Sequence, residues 1–289
     1  MKQYILDLLN LTKIRITFFV AFSTSAGFIM GGGTNYADMV FLIIGVFLLA
    51  CGSAILNQLQ EWKLDKVMNR TKSRPIPSGR ISKSHALILS ILLVGFGEMI
   101  LFQVSGWATF NLGIIALLWY NAIYTPMKKI TSLAVVPGAL IGAISPWIGW
   151  AGTGSDVFSL TMISLGFFFF IWQIPHFWLL LLIYDKDYEE AGFPTLTQKF
   201  SHRQLKRVTF VWIMALAVSC MLIPLFVTAN HTITIPILFL AGFGLIWQAL
   251  PLLNQYFEGN KAIKLTFMYV NVYVMLVTII LSVDKLIIN

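Results

Sequence analysis

The stretch that decides the fold is DMVFLIIGVFLLACGSAILNQLQEWKLDKVMNRTKSRPIPSGR, residues 38–80. Its first part is an apolar run long enough to cross a bilayer as a helix. The run turns polar at Asn57, Glu61 and Asp65, each four residues from the next. Residues at such spacing lie along one helical face, so the pattern predicts three oxygen-bearing side chains converging at the polar end of a membrane helix. A carboxamide and two carboxylates suit Mg²⁺, which keeps several waters and completes its shell with substrate phosphates. Lys66, Arg70, Lys72, Arg74 and Arg80 follow, and such donors grip a diphosphate. A membrane helix emerging into water would carry charges in any case. That plainer reading explains the basic run but not the spacing of the amide and the acids.

Outward from this stretch, composition sets the class. Of 289 residues, 58% are hydrophobic and 11% charged, which defines a polytopic membrane protein and excludes an ordinary soluble domain. Nine spans are expected, near residues 14–30, 38–60, 84–105, 107–125, 132–152, 157–183, 207–229, 233–254 and 263–283, each within roughly three residues. The expected fold is therefore all-α, with residues 1–289 as one integral-membrane domain. The two long connections follow the second and sixth spans, a pattern of two four-helix repeats plus a ninth helix. Cys51 and Cys220 fall inside apolar runs and read as small buried hydrophobes.

The net charge of +8 has a topological explanation, which removes any need for a nucleic-acid partner. Nineteen of the twenty Lys and Arg residues lie in segments on the same side as the N-terminus, and only Lys285 does not. The opposite loops, around Gly31–Ala37, Ser105–Trp107, Gly152–Asp156 and Ala229–Thr232, have none. By the positive-inside rule the N-terminus and both long loops are cytoplasmic, and the C-terminus is external. The residues ahead of the first span are too few for an organelle transit peptide, which favours a bacterial cytoplasmic membrane.

A second constellation closes the sixth span: IWQIPHFWLLLLIYDKDYEEAGFPTL, residues 171–196. Asp185 and Glu189 are four apart and Asp187 and Glu190 three apart, so a helical turn again gathers acids on one face. Pro175 is expected to kink the helix a turn or more before them, beside His176. Gly192 and Pro194 end the helix and lead into Lys199, Arg203, Lys206 and Arg207. Facing the Asn57 cluster, Asp185 and Asp187 make the second wall of a two-metal diphosphate site. Among smaller signals, Glu98 is an intramembrane acid, a position that favours either function or a protonated packing role. Most of the abundant aromatics read as lipid-facing or interfacial.

Two acid-rich segments after the second and sixth helices of a nine-helix membrane protein resemble the UbiA superfamily of intramembrane aromatic prenyltransferases. The residues that carry the likeness are Asn57 through Arg74 with NRTKSRP, Tyr124-Thr125 with Lys128-Lys129, Gly138 to Trp150, Pro175-His176-Phe177, and Asp187-Tyr188 with Ala191 to Pro194. The finer likeness is to the haem-farnesylating branch. Glu61 departs from the pattern, since the family usually has Asp there, yet it still offers a carboxylate. Lys63 and Ser145 also stand where other residues are frequent. The resemblance implies a Mg²⁺-dependent transfer of farnesyl from farnesyl diphosphate to haem B. Asn57, Glu61, Asp65 and Asp187 would be catalytic, and Arg70, Lys72, Arg74 and Lys129 would bind the diphosphate. It further implies His176 as a haem-facing residue, and a haem A synthase or oxidase-assembly factor as a downstream partner. The rival acceptor is a quinone-precursor aromatic or another lipid. A transporter would place its polar groups near the bilayer midplane, where only Glu98 sits. Reporters fused after Lys72 or Lys199 should read cytoplasmic and one at Thr153 external; an external signal from either long loop would contradict the site.

Overall fold

A computed structural model describes residues 2–226, 232–254 and 260–288, and among them every regular element is helical. In chain order these are α1 (Lys2–Leu11), α2 (Ile14–Met30), α3 (Tyr36–Asp65), α4 (Lys83–Ser105), α5 (Trp107–Leu118), α6 (Thr125–Met127), α7 (Val135–Gly138), α8 (Leu140–Ala151), α9 (Leu160–Glu190), α10 (His202–Ser219), α11 (Thr234–Ala249) and α12 (Asn260–Ile288). Polar caps set several starts. Asn35 accepts from the Ala37 amide ahead of α3, Ser82 from His85 ahead of α4, and Ser201 forms a capping box with Gln204 ahead of α10.

Seven of the described stretches are long and apolar enough to cross a membrane: Tyr36–Asp65, Lys83–Ser105, Ser132–Ala151, Leu160–Glu190, His202–Leu225, Thr234–Leu253 and Lys261–Ile287. The chain is thus a multi-pass membrane protein. The two other expected spans differ in form. One is α2, an apolar helix of 17 residues. The other runs from α5 into a π-helical segment, Trp119–Tyr124, before α6. Residues 229–231 and Asn289, on the side expected to be external, lie outside the described residues.

The helices group into two compact units. The first holds the chain up to Thr131, together with Ile144–Ser155 and Lys186–Phe193. Here the helices touch backbone to backbone. A Cβ on Gly27 of α2 would collide with the Pro146 carbonyl oxygen, and one on Gly149 with the Thr24 carbonyl oxygen. Small residues give membrane helices this closeness, since dispersion and not water exclusion holds them together. Between α3 and α4, Ser90 Oγ donates to the Gly52 carbonyl at 2.7 Å.

The short helix α1 is fixed at its middle and at its C-terminal end. Asp7 pairs with Arg80 at 3.0 Å, and Gln58 Nε2 donates to the carbonyls of Asn10 and Leu11 at 3.1 and 2.9 Å. Those are C-terminal helix carbonyls that no intrahelical donor reaches, so α3 supplies their donor. Leu11, Ile55, Ile76, Ile81 and Ala86 form the apolar cluster beneath.

The second unit comprises Ser132–Ala143, Asp156–Asp185 and the chain from Pro194 onward. Tyr273 of α12 donates to the Ala217 carbonyl at 3.3 Å and lies 2.9 Å from Cys220 Sγ. Cys220 and, in the first unit, Cys51 are both free and buried, as their apolar settings predict. Helix α9 departs from helical dihedrals at Tyr184 (φ −124°, ψ 22°), not at Pro175, where the sequence placed the kink. The break falls at the residue before Asp185, where the acidic turn begins.

Candidate active site

The spacing of Asn57, Glu61 and Asp65 is realised as predicted. All three lie in the last turns of α3 and are 1%, 5% and 3% exposed. Groups this polar need partners when buried, and each has a cation. Lys13 Nζ donates to Asn57 Oδ1 at 2.8 Å. Lys128 Nζ stands 2.7 Å from Glu61 Oε1 and directs its hydrogen bond to Oε2 at 2.9 Å. Arg74 Nη1 reaches both oxygens of Asp65, at 2.9 and 2.8 Å. The Asn57 amide also donates to Glu61 Oε2 and to Thr125 Oγ1, each at 3.1 Å, which links the acids to the end of the π-helical segment.

The three cations come from three separate parts of the chain. Arg74 lies in the loop after α3, and Lys128 directly follows α6. Thr125 and the stacked rings of Tyr120 and Tyr124 (5.7 Å) stand on the wide turn just before it. Lys13 sits in the linker ahead of α2 with φ +51° and ψ 44°, a left-handed backbone that a lysine seldom adopts. Burial, then Arg74 and Lys128, push its ammonium down to about 7, against the opposing pull of Glu61 and Asp65.

The segment Lys186–Phe193 packs in the same unit. Arg70 Nη2 donates to the Tyr188 hydroxyl at 3.2 Å, and its guanidinium lies 5.6 Å from that ring. Met68, Ala191 and Phe193 form an apolar contact beneath, with Leu64 and Tyr188 against it. Gly192, at φ +75°, turns the chain away. Asp187 is thereby held in the unit that carries the Asn57 face. Asp185 belongs to the second unit, where it meets His202 Nε2 at 3.1 Å. No three His, Cys, Asp or Glu side chains cluster among the described residues, so an acid-only metal cage is not present there. The donors on α3 still fit Mg²⁺: hard oxygens from two carboxylates and a carboxamide, on one face and already opposed by positive charge.

The remaining sequence candidates take other positions. Lys72 donates to Asn69, Lys66 lies 5.1 Å from the Trp62 ring, and Lys129 donates to the Gln60 carbonyl at 3.1 Å. Arg80, read as part of the diphosphate grip, instead holds Asp7 of α1. Glu98 is buried against Gly113, and neither carboxyl oxygen has a hydrogen-bond partner among the described residues. In the second unit, His176 Nδ1 lies 2.8 Å from Asn271 Oδ1. Lys13 and Lys128 were not picked out as site residues from sequence. Lys13 carried only charge at a membrane edge, which the positive-inside pattern already explained, and Lys128 stood in the family likeness beside Lys129, to which the diphosphate role was given instead.

A buried amide and acid face at the end of a membrane helix, ringed by basic side chains, is an arrangement suited to an anionic ligand. The sequence profile of the UbiA prenyltransferase family matches residues 18–272, and the chain belongs to that family. It is a prenyltransferase. A protoheme IX farnesyltransferase of Geobacter sulfurreducens is 37% identical over 75% of this chain and 80% of its own length. One of Christiangramia forsetii is 34% identical over 97% of this chain and 94% of its own. The fold is similar to a solved digeranylgeranylglyceryl phosphate synthase, with a TM-score of 0.77 at 13% identity over 99% of both chains. It is also similar to a UbiA homologue from Archaeoglobus fulgidus bound to GPP and Mg²⁺, with a TM-score of 0.69 at 12% identity over 96% and 99%.

Arg74→Ala should destabilise the protein by on the order of 3 kcal/mol, because it strands a buried carboxylate. Adding Asp65→Asn should restore much of that stability, as thermal denaturation in detergent will register. Simple additivity of the two losses would contradict the pairing.

Proposed function

We propose that this chain transfers the farnesyl group of farnesyl diphosphate to a vinyl group of haem B, giving haem O, in a Mg²⁺-dependent reaction. The observation that carries the donor half is the Asn57–Glu61–Asp65 face with Lys13, Lys128 and Arg74 upon it. Asn57, Glu61, Asp65 and Asp187 are the residues that would hold Mg²⁺. The metal, when bound, supplies a Lewis acid that draws charge from the departing diphosphate. The chain's own cations serve the same end. Arg74 and Lys128 already point at the acids, and Arg70 is held at the acidic segment by Tyr188. Lys72 and Lys129 add positive charge at the flanks. Such donors act where negative charge develops, and fixed in advance they need no reorganisation.

Cleavage of the allylic C–O bond releases diphosphate and leaves a farnesyl cation. The haem vinyl group donates its π electrons to that cation, water adds to the carbon next to the porphyrin, and one proton is lost. The product is a hydroxyethylfarnesyl side chain. What supports haem as acceptor is the activity for which the relatives are named, together with His176, an imidazole suited to iron. A place in the bacterial cytoplasmic membrane, with the basic loops inside, suits two poorly soluble substrates, and a haem A synthase is the partner that would consume the product.

Asp65→Asn should abolish turnover while the protein still inserts in the membrane, and Glu61→Asp should stay active. The check is mass identification of the product from purified protein, Mg²⁺, farnesyl diphosphate and either haem B or a hydroxybenzoate. A prenylated hydroxybenzoate with haem B untouched would overturn the acceptor. Normal turnover by Asp65→Asn would overturn the site.

A further inference from the structure

Asn271 of α12 makes two hydrogen bonds whose directions constrain each other. Its Nδ2 donates to the Phe267 carbonyl one turn back, at 2.6 Å. That bond fixes the amide, since the reversed orientation would set two acceptors face to face. Oδ1 therefore faces His176 Nδ1, 2.8 Å away on α9. An amide oxygen only accepts, so Nδ1 must carry the proton. A neutral imidazole protonated at Nδ1 has its lone pair on Nε2. Among the described residues Nε2 has no hydrogen-bond partner. The ring is held on its flanks by Trp172, Phe177 and Phe267, with centroids 5.4, 5.5 and 4.8 Å away.

We propose that Asn271 is a positioning residue: by accepting from Nδ1 it holds His176 in the tautomer and orientation that present Nε2 to the iron of the metalloporphyrin acceptor. The proposal rests on the haem reading above. It has a general physical basis, because metal-binding histidines commonly donate their second ring N–H to a fixed acceptor, which sets the tautomer and raises the basicity of the binding nitrogen. A histidine kept for packing alone would have no use for one prescribed tautomer. The Asn271 amide, locked to its own helix, prescribes one.

The test uses full-length protein in lipid nanodiscs, with histidine nitrogens labelled by ¹⁵N and His176→Ala used to assign the resonances. In the parent, His176 should show a protonated Nδ1 and an unprotonated Nε2 before any haem is added. Asn271→Leu should shift the tautomer toward Nε2–H and weaken haem B binding by about tenfold or more, read from the Soret band. Asn271→Asp keeps an acceptor at that position. It should retain Nδ1–H, restore haem binding and lower the reduction potential of the bound haem. Affinity for farnesyl diphosphate should be unchanged in both variants. A parent His176 protonated at Nε2, or an Asn271→Leu protein that binds haem with parental affinity and spectrum, overturns the proposal alone. A parent protein that binds no haem at all overturns the haem reading and this proposal with it.

Discussion

The rest of the site depends on one requirement. Two carboxylates and an amide are buried at the end of a membrane helix, and the acids must be matched there by positive charge and the amide by hydrogen-bond partners. Stripped of water and unpaired, such groups cost several kcal/mol each. The matching cations are drawn from the linker ahead of α2, the loop after α3 and the turn after α6. Much of the first unit's local structure serves to deliver them. Gln58, next to Asn57, anchors the end of α1, and Arg80 holds Asp7, so the helix that leads into the Lys13 linker is tied down. The π-helical turn ahead of Lys128 is bound to Asn57 through Thr125. Such widened turns recur where a helix must place functional groups.

The same matching makes the face ready for a substrate. Lys13, Lys128 and Arg74 are gathered within reach of one another before any anion arrives. On the proposed reading, a diphosphate would add negative charge to a place that already holds converging basic side chains, and the acids would then serve a divalent metal. The left-handed backbone at Lys13 is where the chain carries strain to complete this arrangement. The acidic segment Lys186–Phe193 is attached by Arg70 on Tyr188 and by a small apolar contact.

Much of this was legible in the sequence, for identifiable reasons. A spacing of four on a helix leaves little freedom, so Asn57, Glu61 and Asp65 fell on one face as read. Apolar length described the membrane-crossing helices, most of which form as long apolar stretches. What failed to show was anything set by tertiary approach. Lys13 and Lys128 carry the same charge as any residue at a membrane edge, and only folding brings them onto the acids. Arg80 sits in the same basic run as Arg74, yet its partner, Asp7, lies 73 residues away in sequence and drew no attention. Pro175 stays within helical dihedrals because membrane helices tolerate proline when their neighbours support the backbone, and α9 breaks at Tyr184 instead. The tautomer of His176 depends on Asn271, 95 residues away, which no local pattern could pair with it.

The central claim is that the α3 face and its cations form a metal-assisted diphosphate site. Its most direct test is the calorimetric affinity of purified protein for farnesyl thiolodiphosphate, a donor analogue that resists ionisation, with and without Mg²⁺. The account predicts binding that strengthens sharply with Mg²⁺ and loses this dependence in Asp65→Asn. Equal affinity with and without Mg²⁺, unchanged in that variant, would contradict it.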